Sequence, residues 1–467
     1  MKPSMLLIHR CTLITSVTAT AASAFQLLPS SIRINRPTSI HHDTTAILSN
    51  SDDSINYIDT SEYLQRDINP MISWCEMYGV DHTSIDFCPT SSFKQLSNSQ
   101  DYTCYAVTDL PAGSPVLTVP SSILLDSYHI KQNEVGELSR SEEFLTKLRE
   151  PLPLFYLYVK LLYEYSLGDT SPYYDWLNSL PRSYDTGTSM TPTCYDCLPP
   201  LAATYAKTER VRYINYQSAV KNTVDWLPEW IVEDVLVCKW IFNVVSTRSW
   251  DVGDGSGERV IVPMGDMFNH HYDPEVAISY DEQGNCIAYT TRDVSAGSEL
   301  RISYGFVTNP SALFAKYGFV DTYAPCTFWK YMDIIPSTEL TAIGLSYSRM
   351  LFYPTGDISP EIFEVLTYLI LGEKHRQEQK VFYEACLNGD EGTKGGYLNQ
   401  YYYEIYGRIK KHVDKFLKDL GELKAKVVRV DEEMHPRIRM IEEHNNFVEE
   451  IFLAVKENVD AVMSQVA

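Results

Sequence analysis

No apolar run in this chain reaches the ~18 residues that a membrane-crossing helix needs, so no transmembrane helix is predicted. Positive charge is scarce: 39 Lys and Arg stand against 61 Asp and Glu, for a net charge of −22. Such a surface repels phosphate backbones, and no basic stripe compensates for it, which excludes a general nucleic-acid binder. Cysteine is sparse as well, ten residues scattered over 467, without the dense spacing of a small disulfide framework. Cys194 and Cys197 have C-x-x-C spacing, but no second such pair and no close Cys/His pair follows. A tetrahedral zinc site needs four ligands, so no metal is expected and the pair is read as structural. Apolar residues, by contrast, are plentiful. They make up 44% of the chain, with 12% aromatics and 33 Tyr, which excludes a wholly disordered protein. At roughly 100–200 residues per domain, the length calls for two or three packed units.

Residues 1–42 hold Lys2, Arg10, Arg33, Arg36 and eleven Ser or Thr, but no acid. Lys2, the apolar stretches at Leu6–Ile8 and Leu13–Val17, and the small residues Ala22-Ser23-Ala24 before Phe25 read as a signal peptide. The basic, hydroxylated stretch that follows, as far as His42, reads as a transit peptide. Together they resemble the two-part presequence of algae with complex plastids, which implies the chloroplast stroma. A plain secretory signal followed by a linker is the alternative, and implies the secretory pathway. Residues 43–60 are polar and are expected to form a disordered linker.

From residue 102 the texture is β-like. Tyr102–Val107 is rich in β-branched and aromatic residues, Leu110-Pro111-Ala112-Gly113 supplies a turn, and Val116–Val119 reads as a returning strand. Helical texture dominates about 126–240, with Leu152–Tyr165 apolar almost all round and therefore buried. Ile231–Val245 reads as a further helix running toward Arg248. Short strands return at Val260–Val262, Val276–Tyr280, Cys286–Thr290 and Leu300–Ser303, with turn chemistry at Asp281–Asn285 and Ala296-Gly297. Such short intervals predict a small antiparallel β assembly rather than βαβ units. The last 140 or so residues carry two apolar stripes at helical spacing, Tyr402 to Leu420 and Ile441 to Val462, which predict a helical bundle.

Two segments are more specific than core packing. One is Val262-Pro263-Met264-Gly265-Asp266-Met267-Phe268-Asn269-His270; the other is Ala296-Gly297-Ser298-Glu299-Leu300-Arg301-Ile302-Ser303-Tyr304-Gly305, followed by Lys316-Tyr317-Gly318-Phe319. With Tyr105–Gly113, Val119-Pro120, Pro151–Phe155, Trp176–Pro181 and the helix from Trp240 to Arg248, they keep one order and spacing over about residues 100–320. In these features the chain resembles SET-domain protein methyltransferases. The subgroup is the one named for the Rubisco large-subunit lysine methyltransferase, which includes relatives that methylate a histidine of actin.

The resemblance implies an α+β fold with a small antiparallel SET-type β core at residues 61–325, a helical insertion at about 126–240, and an all-α substrate-binding domain at 326–467. It implies S-adenosylmethionine as cofactor and a lysine of a non-histone protein as acceptor, with histidine possible. The protein substrate would dock on the helical C-terminus of a monomer, with no nucleic acid or membrane involved. It places Tyr304 at the end of the acceptor channel, as a catalytic and cofactor-contacting residue, with Tyr317 as channel wall. Asn269 and His270 would hold the cofactor's amino-acid and adenine ends, and Arg248 would grip its carboxylate. His271 has no such role and is read as a surface residue.

SET domains normally carry Gly-x-Gly where the backbone lies against the cofactor; here those positions are Asp101 and Thr103. Glycine permits that close approach because it has no Cβ. Asp101 adds a negative charge where a carboxylate is expected. Either the loop is reshaped and binding kept, or the domain is a catalytically inactive protein-binding module.

Overall fold

The computed structural model describes residues 55–465, apart from 63, 91–100, 254, 306–307, 329–333 and 347. The expected presequence and residues 43–54 of the expected linker lie outside the described residues. Residues 55–60 depart from the linker expectation, because they pack on the fold. Ile58 is buried, Tyr165 Oη donates to its carbonyl at 2.9 Å, and Asp169 N donates to Asn56 O at 3.0 Å.

The β part is a set of small sheets. Strands β1 (Ile85–Pro89) and β2 (Tyr102–Ala106) form an antiparallel pair. A three-stranded sheet joins β3 (Pro115–Val119) to β8 (Val276–Tyr280) and β9 (Cys286–Thr290), in the order β3-β9-β8. A second has the order β4 (Leu125–Asp126), β6 (Arg259–Ile261), β5 (Ser249–Asp251). Finally β7 (Asn269–His270) runs parallel to β10 (Arg301–Ile302), with Asn269 opposite Arg301 and His270 opposite Ile302.

One expectation is corrected here. Tyr102–Val107 and Val116–Val119 were expected as outgoing and returning strands. They do not pair: β2 pairs with β1, a strand unpredicted from the sequence, and β3 pairs with β9. The small antiparallel β core expected from the sequence is present, with β7–β10 as a parallel pair within it.

The chain between β4 and β5 is helical. Leu152–Ser166 buries eleven side chains, as its all-round apolarity requires. Its two buried ionic residues are matched to each other and to a neighbour: Lys160 Nζ lies 2.5 Å from Glu164 and 2.6 Å from Glu134. The single helix expected over Ile231–Val245 is in fact two, Glu229–Glu233 and Val235–Arg248. Asp234 between them turns its carboxylate to the amides of Leu236 and Val237, an N-cap that ends one helix and starts the next.

Two apolar cores result. The first gathers the strands and the Leu152–Ser166 and Val235–Arg248 helices. The second is built on the C-terminal helices Pro360–Lys374, Tyr402–Val427 and Ile438–Met463, and it also takes Met190–Ala206 and Phe314. The two stripes predicted from the sequence face each other there, with Phe416 stacked on Phe452 at 4.0 Å. Cys194 and Cys197 are buried free thiols in this second core.

Candidate active site

Short strands bring the site together. Tyr304 follows β10, whose parallel register with β7 sets it beside the Asn269-His270 pair. Tyr304 N donates to His270 Nδ1 at 3.0 Å, and Tyr304 Oη donates to the Phe268 carbonyl at 2.6 Å. Accepting at Nδ1 puts the proton of a neutral His270 on Nε2, which lies 3.4 Å from Asp321 Oδ2. Burial works to raise the Asp321 carboxyl, but the nearby His270, the Tyr323 amide and His271 together outweigh it and hold its pKa below the usual range. His270 Nδ1 is thereby engaged as the brace of Tyr304, while its buried Nε2 faces Asp321 without a hydrogen-bond partner. Asn269 Nδ2 donates to Tyr102 O at 3.2 Å and ties β7 to the residue between Asp101 and Thr103.

Tyr317 ends the Pro310–Tyr317 helix, and its ring packs on that of Tyr304 at 4.8 Å. Phe319 flanks both. Burial raises the Tyr304 phenol and pushes Tyr317 up to about 12, so both are neutral hydroxyls at physiological pH. Gly318 closes the helix at φ +80°, with Gly318 N donating to Phe314 O at 2.8 Å.

Arg248 Nη1 donates to Asp266 Oδ2 at 2.9 Å and to Asp266 O at 2.8 Å. Burial opposes the Arg248 charge, but Asp266, supported by Tyr184, more than offsets it and raises its pKa. Asp101 lies near the same group. Burial pushes its carboxyl up while Arg66 and Arg248 pull it the other way. Arg66 is buried too; its Nε donates to Ser179 O at 2.8 Å, and burial, with repulsion from Arg248, brings its pKa down to about 10. Two guanidiniums thus face two carboxylates, and the charge at Asp101 has a counter-ion.

Within this group Arg248 Nε and Asp266 Oδ1 are buried without a hydrogen-bond partner. An orphaned donor beside an orphaned acceptor is costly in a closed protein. It is complementary to a ligand end carrying both a carboxylate and an ammonium, as an α-amino acid does.

A cavity of about 550 Å³ brings Arg248, Asp266, Phe268, Tyr304 and Tyr317 onto one wall system, together with Trp250, Arg259, Ile302 and Lys316. Asn269 and His270 are not part of that wall. A larger groove of about 760 Å³, on the C-terminal helices, holds none of these residues. The structure therefore brings all five predicted site residues into one neighbourhood, three of them on the cavity. Sequence reading missed Arg66, Tyr184, Asp321 and Lys316. Lys316 stands inside a quoted motif, next to Tyr317, whereas the other three carry no local signal. Burial, with Arg259 adding repulsion, brings the Lys316 amine down to about 7.

Residues 101–305 match the family model described as SET domain. Mouse SET domain-containing protein 4 is 24% identical over 234 residues, covering 46% of this chain and 51% of that protein. The chain thus spans about half the length of this curated relative. Among solved structures, Rubisco LSMT bound to AdoMet superposes with a TM-score of 0.58 at 14% identity, over 85% of this chain and 92% of that one. The SET domain of LSMT bound to lysine and AdoHcy gives a TM-score of 0.57 at 14% identity, over 85% and 91%. These likenesses extend through the helical C-terminal region and establish the fold.

Proposed function

Because residues 101–305 match the SET-domain family model, we propose that this protein is an S-adenosylmethionine-dependent methyltransferase acting on a lysine side chain of a non-histone protein. A histidine acceptor belongs to the same class. The observation that carries the reading is the pair of orphaned atoms, Arg248 Nε and Asp266 Oδ1, beside the cavity that holds Tyr304. They suit the carboxylate and ammonium of the cofactor's methionine end, and the guanidinium plane favours the carboxylate. The Arg66–Asp101 charges balance one another, so the Gly-x-Gly replacement leaves the site no net negative charge.

Bound there, S-adenosylmethionine supplies an electrophilic methyl group on a sulfonium. The chain's own residues orient and desolvate the acceptor. Trp250, Ile302 and Tyr317 wall the cavity against water, which disfavours an ammonium and helps the acceptor amine lose its proton. Tyr304, braced through both its amide and its hydroxyl, presents a fixed dipole beside the Phe268 carbonyl, and fixed dipoles favour developing charge without reorganising. The helical C-terminus is the docking surface for the protein substrate in this reading. If residues 1–42 act as the presequence they resemble, that substrate is a stromal protein.

The test is calorimetric titration of the protein with S-adenosylmethionine and with its demethylated product. Binding at micromolar strength or better, ~8 kcal/mol or more, is the expected result. No detectable binding would leave the non-catalytic protein-binding module as the reading.

A further inference from the structure

Three polar atoms of the charged group round Arg248 are buried without a hydrogen-bond partner among the described residues: Arg248 Nε, Asp266 Oδ1 and the phenolic oxygen of Tyr184. The first two suit the methionine end of the cofactor, and the third stands beside them. The charges of Arg248, Arg66 and Asp266 all act on the Tyr184 phenol, which sets it in their midst. It is close enough to steady Arg248, yet it makes no hydrogen bond to it. Burial raises the phenol, so at neutral pH the group is an O–H donor. The placement is enforced from both ends of the segment. Pro181 O accepts from Trp240 Nε1 at 2.8 Å, and Thr186 Oγ1 donates to Asn243 Oδ1 at 2.7 Å. Residues 181–186 are thereby tied to the Val235–Arg248 helix, whose last residue is Arg248 itself. Between these ties Arg437 donates to Ser183 Oγ at 3.2 Å and to Tyr184 O at 3.3 Å, and the Tyr184 ring packs on the first core. The hydroxyl is held in place on all sides but is engaged on none.

The orphaned atoms are two donors, Arg248 Nε–H and Tyr184 O–H, and one acceptor, Asp266 Oδ1. A carboxylate accepts and an ammonium donates, so the end of an α-amino acid uses all three. A simple anion would satisfy the donors but leave Asp266 Oδ1 unpaired and repel its charge. A simple cation would do the reverse. The group also holds two guanidiniums, Arg66 and Arg248, and two carboxylates, Asp101 and Asp266, so a zwitterion enters it without changing the net charge. We propose that Tyr184, from the helical insertion, is a cofactor-binding residue whose hydroxyl donates to the methionine carboxylate of S-adenosylmethionine alongside Arg248. The contact is a hydrogen bond only; no covalent bond is made or broken. The proposal rests on the methyltransferase reading and makes the insertion part of the cofactor site.

The test is calorimetric titration of the full chain and of its Tyr184→Phe variant with two ligands. One is S-adenosylmethionine; the other is its decarboxylated form, which keeps the sulfonium and the amine but has no carboxylate, titrated by displacement so that weak binding is read. Tyr184→Phe keeps the ring and removes the one hydroxyl. Its affinity for S-adenosylmethionine should fall about 10-fold or more, the scale of a hydrogen bond to a charged group. Its affinity for the decarboxylated form should stay within about twofold of wild type, because the hydroxyl and the carboxylate are coupled only to each other. A second readout needs no ligand. The denaturant midpoint of free Tyr184→Phe should equal or exceed that of wild type, since the change removes a buried polar atom that has no partner. A hydroxyl with a structural task would lower it instead. An equal loss for both ligands, no loss for S-adenosylmethionine, or a lower midpoint in the free variant would each overturn the proposal and leave the methyltransferase reading standing. A wild type that binds neither ligand would overturn that reading, and the proposal with it.

Discussion

Tyr304 is held from two sides, by His270 on its amide and by the Phe268 carbonyl on its hydroxyl. Burial keeps the phenol protonated, so its contribution is a fixed dipole and not a phenolate base. Tyr304→Phe removes that dipole and leaves the Phe268 carbonyl unsatisfied, while the Arg248–Asp266 group stays as it is. Steady-state assays should show kcat lower by about 100-fold or more. Calorimetry should find cofactor affinity within about threefold of wild type, since an interaction made only in the transition state affects kcat and not binding. A kcat equal to wild type would remove Tyr304 from its role. The residues that could be read from the sequence at this scale share one property. Tyr304, Tyr317, Asn269, His270 and Arg248 sit in contiguous motifs, so their neighbours along the chain identify them. Arg66, Tyr184 and Asp321 reach the site only through the fold. Arg66 meets Met267 across the first core, and Asp321 meets His270 across the β7–β10 pair, and neither has a local pattern to mark it.

Among the elements, the β8–β9 hairpin and most helices were legible, while the partners of the other strands were not. The β8–β9 hairpin falls where the Asp281–Asn285 turn predicts it, because turn chemistry acts on adjacent residues. β-Branched and aromatic content marks Tyr102–Val107 and Val116–Val119 as strands but carries no information about which distant strand each will meet. The helix Pro310–Tyr317 depends on one residue for its end. Gly318 has φ +80°, and a Cβ there would stand 2.5 Å from the Asp185 carbonyl carbon. Gly318→Ala should therefore cost about 1–2 kcal/mol from the left-handed backbone alone, with the clash added to it. The denaturant midpoint should fall accordingly, and kcat should fall with it, because Tyr317 and the 183–186 segment can no longer close on each other. A midpoint equal to wild type would show that the backbone relaxes there without loss.

Across the whole molecule, the C-terminal helical region reaches back to the proposed cofactor group through Arg437. This buried guanidinium donates to Glu62 and Ser183 at 3.2 Å and to Tyr184 O at 3.3 Å, and pairs with Asp185 at 3.1 Å. It thereby fixes the backbone of Tyr184, whose side chain supports Arg248. Arg437→Met should cost about 1.5–3 kcal/mol in stability, the scale of a hydrogen bond to a charged group. It should also weaken cofactor binding in calorimetry, although the residue lies outside the SET match. Unchanged affinity in a folded variant would show that the Tyr184 segment holds its place unaided. The sequence stripes foretold a helical bundle at the C-terminus, but not that Met190–Ala206 would belong to its core, since no periodicity relates segments so far apart. That shared core sets an order of events during synthesis. Met190–Ala206 leave the ribosome long before Ile438–Met463, the helix against which they come to rest. Until that helix emerges, an apolar stretch in mid-chain waits for its partner, so these two segments cannot fold domain by domain in the order of synthesis.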